Sequence, residues 1–232
     1  MHRKKIHVLI LALGLLGCTT FANASDAPSD AAEKAAKEAA KAAAIAAPPA
    51  EEAMLANTCA GCHGTNGVSA GPGMPSIAGM PSAYLQTIMA DFKSGKRPST
   101  IMGRIARGYT EEETKRLSDY LSRTTWQNAV SHPNSKLVTK VDTAKAIRGQ
   151  QLVNEYKCEK CHEDDGVTQD SEVPRMAGQW LDYLLIKMQD YKNPLVHTLQ
   201  PIKMQNKIDD LTMEDLESIA HFYASAPLLG RP

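Results

Sequence analysis

Tyr84, Leu85, Ile88, Met89 and Phe92 fall on one face at the 3.6-residue period of a helix, with polar residues between them. Leu216, Ile219, Ala220 and Tyr223 repeat that stripe near the other end of the chain. Thr110-x-x-Glu113 predicts the start of a further helix through a reciprocal cap, and Thr212 with Asp215 is a weaker version of the same signal. No stretch alternates apolar and polar residues as a half-buried strand would. The pattern predicts an all-α protein, each part a small bundle of three or four helices.

Two N-terminal segments stand outside that pattern. "MHRKK" is basic, "IHVLILALGLLG" is apolar but too short to span a bilayer, and "ANA" ends in a small-x-small site, so residues 1–24 read as an export signal cleaved after Ala24. "LLGC" at Leu15–Cys18 offers a second reading, a lipoprotein signal ending before a lipidated Cys18 that would tether the exported protein to a membrane. Residues 25–50 form an Ala-rich spacer in which Glu33 precedes Lys37 by four residues, the favourable order for a helical ion pair. That run has no apolar stripe, and Pro48 and Pro49 end it.

Beyond the spacer the chain repeats itself. "PSIAGMPSAYLQTIMADFK" (75–93) aligns with "PRMAGQWLDYLLIKMQDYK" (174–192) at an offset of 99. After a three-residue insertion, "YTEEETKRLSDYLS" (109–122) aligns with "LTMEDLESIAHFYA" (211–224) at an offset of 102. The duplication predicts two similar domains, 51–126 and 142–228, joined by a linker at 127–141.

The composition asks what fills these domains. Aromatic residues make up only 5% of the 232, which leaves room for a large bound group to supply apolar mass. Removing residues 1–24, which carry Arg3, Lys4 and Lys5 and no acid, leaves 23 basic against 26 acidic residues, a net charge of −3. No basic patch argues for nucleic acid, and the mildly acidic balance does not select a partner.

Four of the five cysteines lie in "CAGCH" (59–63) and "CEKCH" (158–162), again 99 residues apart. A zinc site needs a second ligand pair within its domain and an iron–sulfur cluster needs four cysteines, and neither half has them. A thioredoxin-like pair needs a βαβ context that is absent. The trailing histidine selects covalent haem: Cys59 and Cys62, and Cys158 and Cys161, would add to the vinyl groups of two haem c molecules. His63 and His162 would then fall beneath the irons. Pro75 and Pro174 each lie twelve residues past the histidine, where a carbonyl could accept from the second imidazole nitrogen.

Met102 and Met204 align across the insertion, each following a proline, and are the candidate sixth ligands. Met89 and Met188 also align but belong to the apolar stripe. His197 competes with Met204, whereas His132 and His221 read as structural. Two closed His/Met irons suit single-electron transfer rather than bond chemistry.

These residues resemble a known family. The repeated "CxxCH…P-x-[IM]-A-G" layout is similar to dihaem cytochromes of the c4 type. With "FKSGKRPSTIMGRIARGYT" (92–110), "AGQW" (177–180) and "FYAS" (222–225), the chain more closely resembles the dihaem cytochrome c subunit of flavocytochrome c sulfide dehydrogenase, over residues from about 51 to 226. The resemblance implies two tandem cytochrome c domains in the periplasm and axial methionines at Met102 and Met204. It further implies a partner flavoprotein with covalent FAD that oxidises sulfide, the FAD residing on that partner and not on this chain, and a further electron acceptor downstream. On this reading the chain is an electron-transfer subunit that is not catalytic alone. A stand-alone carrier to a terminal oxidase is the alternative, and a dihaem peroxidase with one labile distal ligand is a third. The first domain lacks a match for Gly149 and Tyr156, which predicts a shorter first helix.

Overall fold

The structure, a computed structural model, describes residues 50–137, 139–168, 170–196 and 200–226. The leader, the lipoprotein box at Cys18, most of the Ala-rich spacer and His197 lie outside the described residues. Among the described residues the regular structure is helical, without strands, and no helix is long and apolar enough to cross a membrane.

The first half holds α1 (Ala50–Asn57), α2 (Ala60–His63), α3 (Ser82–Ser94), α4 (Met102–Ala106) and α5 (Glu111–Ser122). The second holds α6 (Thr143–Glu155), α7 (Leu181–Lys192), α8 (Ile202–Asp210) and α9 (Met213–Ser225). Helical turns at Ala129–Ser131 and Pro133–Leu137 join them.

Local chemistry explains several helix ends. Both capping boxes close in full: Glu113 N–H donates to Thr110 Oγ1 at 3.1 Å while Thr110 N–H donates to Glu113 Oε2 at 2.8 Å. Thr212 and Asp215 do the same for α9, so the shorter acid serves as well as glutamate. Asp142 caps α6 by accepting from Lys145 N–H, and Gly95, left-handed at φ 79°, ends α3.

The second stripe buries in full at Leu216, Ile219, Ala220 and Tyr223, whereas in the first only Leu85 is fully buried and the rest are half-buried. Leu85, Leu117, Tyr120 and Leu121 pack with Ala56 and Met80 in the first core. In the second, Leu152 and Val153 of α6 meet Leu184 and Met188 of α7 and Leu216 and Phe222 of α9. A Cβ on Gly149 would lie 2.1 Å from the Ser218 carbonyl oxygen, so only glycine lets α6 and α9 approach so closely. α1 has 8 residues against 13 in α6.

The duplication extends to single hydrogen bonds. The Gly67 carbonyl accepts from Ile77 N–H and Ala78 N–H, and the Gly166 carbonyl accepts from Met176 N–H and Ala177 N–H. Gly79 N–H donates to the Leu121 carbonyl and Gly178 N–H to that of Tyr223, each at 2.8 Å. These bonds pin the segment after each CxxCH motif against the last helix of its half.

The two halves meet over polar contacts, those of Gln179 and Trp180 being buried. Gln179 bonds both ways with the backbone of Ser76, Trp180 Nε1 donates to the Ser69 carbonyl at 3.2 Å, and Tyr84 N–H donates to the Ser171 carbonyl at 3.0 Å. The Arg175 guanidinium lies 5.0 Å from the Trp126 ring centre. A side chain on Gly71, at φ 76°, would strike the Trp180 indole.

Candidate haem sites

Each CxxCH motif borders a cavity. The first, about 590 Å3, is lined by Cys59, His63, Met80, Met89 and Met102 among other, mostly apolar, side chains. The second, about 310 Å3, is lined by Cys158, Cys161, His162, Met176, Met188 and Met204. Both fall in the range of small-molecule and cofactor pockets. The four cysteines are unbridged, Cys62 and Cys161 being exposed and Cys59 and Cys158 half-buried. Burial raises the thiol pKa of Cys59 and Cys158 above the ordinary value.

The first histidine is held by its backbone neighbour. His63 is buried at the end of α2, and its Nδ1 lies 2.8 Å from the Pro75 carbonyl. With the proton on Nδ1 donated to that oxygen, Nε2 is left unprotonated, the form that can bind a metal. Burial lowers its pKa, partly opposed by the Pro75 carbonyl, and so favours the neutral imidazole.

The second histidine differs from the sequence expectation. His162 Nδ1 is buried without a hydrogen-bond partner, so the Pro174 carbonyl does not serve it as Pro75 serves His63. The backbone explains the departure. Residues 158–160 form a 3-10 turn where the first motif is α-helical, and Lys157, Asp164 and Asp165 all take left-handed φ values. Burial alone pushes the His162 pKa down to about 4. An orphaned imidazole nitrogen at a cavity wall is costly unless something binds there. Tyr223, edge-on to His162 at 6.2 Å, lines the same cavity with its own buried, unpartnered hydroxyl.

Met102 opens α4 and Met204 sits in the first turn of α8, and each lines the cavity that holds its half's histidine. Both methionines are carried by short helices after Pro98 and Pro201. Gly103 N–H donating to Ser99 Oγ at 2.7 Å, and Pro201 at the N-cap of α8, start those helices. Met89 and Met188 line the cavities as well as packing in the stripe. His132 stacks edge-on against Trp180, and His221 Nδ1 accepts from Asp142 N–H at 3.0 Å, so both serve packing.

The residues present fit haem c: a neutral imidazole and a thioether share each largely apolar cavity, with both thiols of the second motif and Cys59 of the first in the lining. Among the described residues no group of three or more His, Cys, Asp and Glu could hold a metal ion by itself.

Sequence reasoning missed who builds the first cavity. Tyr183, Ile186, Lys187 and Asp190 of α7, together with Leu195 and Val196, complete its wall from the second half. Arg97 of the first half bonds to Tyr191 and faces Tyr84 and Tyr183 there. Burial pushes the Tyr84 pKa up to about 12, and raises those of Tyr183 and Tyr191, which keeps all three phenols protonated. Tyr84 and Tyr183 occupy matching places in the repeat, a signal that could have marked the junction.

The family described as cytochrome c matches residues 49–125. The chain is 45% identical over 75 residues to the cytochrome subunit of sulfide dehydrogenase from Chlorobaculum tepidum, covering 32% of this chain and 67% of that protein. It is 25% identical over 171 residues to a thiosulfate dehydrogenase electron acceptor of Stutzerimonas stutzeri, covering 73% and 79%. The crystal structure of reduced cytochrome c4 from Pseudomonas stutzeri superposes with a TM-score of 0.64 at 22% identity, over 77% of this chain and 98% of that one.

Proposed function

Since the chain belongs to the cytochrome c family and carries two covalent haem c groups, we propose that it is the electron-transfer subunit of a sulfide-oxidising complex. It receives electrons one at a time from the FAD of a partner flavoprotein and hands them to a further acceptor. The observation that carries this reading is the 45% identity to a sulfide dehydrogenase cytochrome subunit, joined to two cavities that each gather a CxxCH histidine, at least one cysteine of its motif and a methionine.

The haem irons supply one-electron chemistry. The chain's own residues set its terms. Cys59 with Cys62, and Cys158 with Cys161, anchor the macrocycles through thioether bonds. His63 and His162 present neutral nitrogens to the irons, and Pro75 holds the His63 ring by its Nδ1 proton. Met102 and Met204 would each supply a soft sulfur ligand, which favours the reduced state relative to a second imidazole. The apolar walls exclude water and disfavour added charge, working in the same direction. An iron held by both a protein nitrogen and a protein sulfur would offer peroxide and oxygen no open site. Residues 51–126 and 142–228 act as the two haem domains with 127–141 between them. The work is done in the periplasm after export on residues 1–24, with tethering if Cys18 is lipidated.

A second reading has its own support. The thiosulfate dehydrogenase electron acceptor aligns over both halves, which suits a diffusible carrier. Purification under native conditions separates the two. A flavoprotein in fixed ratio, with sulfide-dependent reduction of both haems, is expected. A monodisperse, flavin-free chain that sulfide cannot reduce through any copurifying protein would overturn the complex.

A further inference from the structure

Around the second motif, His162 Nδ1, the Tyr223 hydroxyl and Glu159 Oε2 are all buried without a hydrogen-bond partner among the described residues. The His162 and Tyr223 rings stand edge-on with their centres 6.2 Å apart, and both residues line the second cavity. Tyr223 is 2% exposed, and its ring lies so close to the loop after the motif that a Cβ on Gly166 would meet it at 2.8 Å. Its carbonyl accepts from Gly178 N–H, so its backbone is held as well. Burial, then the neighbouring Cys158, Asp165 and Glu159, raises the phenol pKa well above its ordinary value. The group is therefore a neutral hydroxyl, with one proton to give and lone pairs to accept.

The repeat shows that these features arrive together. Tyr223 stands where the first half has Leu121, Glu159 where it has Ala60, and His162 where it has His63. His63 already has the Pro75 carbonyl at 2.8 Å, and Leu121, buried in the first core, brings no polar atom to it. The half whose imidazole is served by a carbonyl thus carries Leu and Ala. The half whose imidazole is not carries a phenol and a carboxylate. Packing alone would be met by Leu or Phe at position 223, since a buried hydroxyl left unpaired costs about 1–3 kcal/mol and adds nothing to packing.

We propose that in the haem-loaded protein the Tyr223 hydroxyl accepts the hydrogen bond of His162 Nδ1–H, taking the place that the Pro75 carbonyl fills for His63. The proposal rests on the reading that His162 ligates the second haem. Tyr223 is then a positioning residue: it acts through the imidazole, keeping the proton on Nδ1 and Nε2 free for the metal. Haem loading completes the bond, because thioethers at Cys158 and Cys161 and ligation at Nε2 fix a ring that already stands edge-on to the phenol. Glu159 Oε2 offers the hydroxyl's own proton an acceptor, and bonds in such a chain strengthen one another. An acceptor on Nδ1–H makes the imidazole more basic, which favours the oxidised iron.

The test uses the mature, haem-loaded chain with nitrogen-15-labelled histidine. It reads the solvent exchange of each ligand's Nδ1–H by NMR in the reduced protein, and the midpoint of each haem by redox titration. Two slowly exchanging Nδ1–H signals are expected in the parent. Y223F keeps the ring and removes only the hydroxyl; the His162 signal is expected to exchange roughly tenfold faster, the worth of one net hydrogen bond. The ferrous-to-ferric ratio of the second haem, held at the parent's midpoint, is expected to rise about threefold. The His63 signal and the first haem should stay where they are. A single slowly exchanging signal in the parent would overturn the proposal before any variant is made. Unchanged signals and midpoints in Y223F would also overturn it and assign His162 to a backbone carbonyl, and equal shifts of both haems would reduce Tyr223 to packing. A chain that loads one haem, leaving His162 unligated, would sink the ligation reading and the proposal with it. Two haems with an unmoved His162 signal in Y223F would remove the role of Tyr223 alone.

Discussion

Gln179 closes its whole side-chain amide on the backbone of Ser76: Oε1 accepts from Ser76 N–H at 2.9 Å, and Nε2 donates to the Ser76 carbonyl at 2.9 Å. The same Oε1 accepts from Trp180 N–H at 3.1 Å, and the residue is 1% exposed. In the repeat its counterpart is Met80, buried in the core of the first half. One step of the duplication has thus been changed from packing within a domain to clamping one domain to the other. Ser76 follows Pro75, whose carbonyl holds His63, so the clamp fixes the loop that orients the first imidazole.

Replacing Gln179 with Leu would strand two buried N–H groups, those of Ser76 and Trp180, and the buried Ser76 carbonyl. Each such group costs roughly 1–3 kcal/mol, so a loss of at least about 3 kcal/mol is expected from urea unfolding. The spectrum of the first haem is expected to shift while that of the second stays.

Methionine ligation makes a separable prediction. Met102→Ala and Met204→Ala should each abolish one of two sulfur-to-iron charge-transfer bands in the oxidised protein. Persistence of both bands in either variant would contradict the assignment.

The α6–α9 crossing depends on the missing side chain of Gly149. Gly149→Ala would place a methyl carbon 2.1 Å from the Ser218 carbonyl oxygen, a backbone atom that cannot rotate away. A destabilisation of at least ~1–3 kcal/mol is expected, read as an earlier thermal transition of the second half.

His221 carries a pH dependence of known sign. Burial, then Lys145, lowers its folded pKa, and its neutral Nδ1 accepts from Asp142 N–H. The unfolded chain therefore binds the proton first. This contribution to stability is full above an unfolded pKa of roughly 6.5 and is lost as pH falls through the lowered folded value. His221→Asn, which keeps an acceptor without titrating, should flatten the stability profile below neutrality.

Much of the site was legible in the chain because its signals are short-range. The CxxCH spacing is a local covalent requirement, capping boxes act over three residues, and the repeat ties Met102 to Met204 without coordinates. Even so, the Pro174 expectation failed. Matched spacing did not carry over once the second motif took a 3-10 turn and left-handed residues at 157, 164 and 165. A hydrogen bond depends on backbone direction, and spacing leaves that direction open.

The sequence by itself determined an all-helical, duplicated chain, two covalent haem sites and their candidate ligands, because helical period, caps and motif spacing are written in neighbouring residues. Only the tertiary structure decided that Gln179 grips Ser76, that α7 helps wall the first cavity, and that Tyr223 stands edge-on to His162. Those pairings join residues tens of positions apart. Packing between helices sets them, and net charge or local pattern carries no record of the outcome.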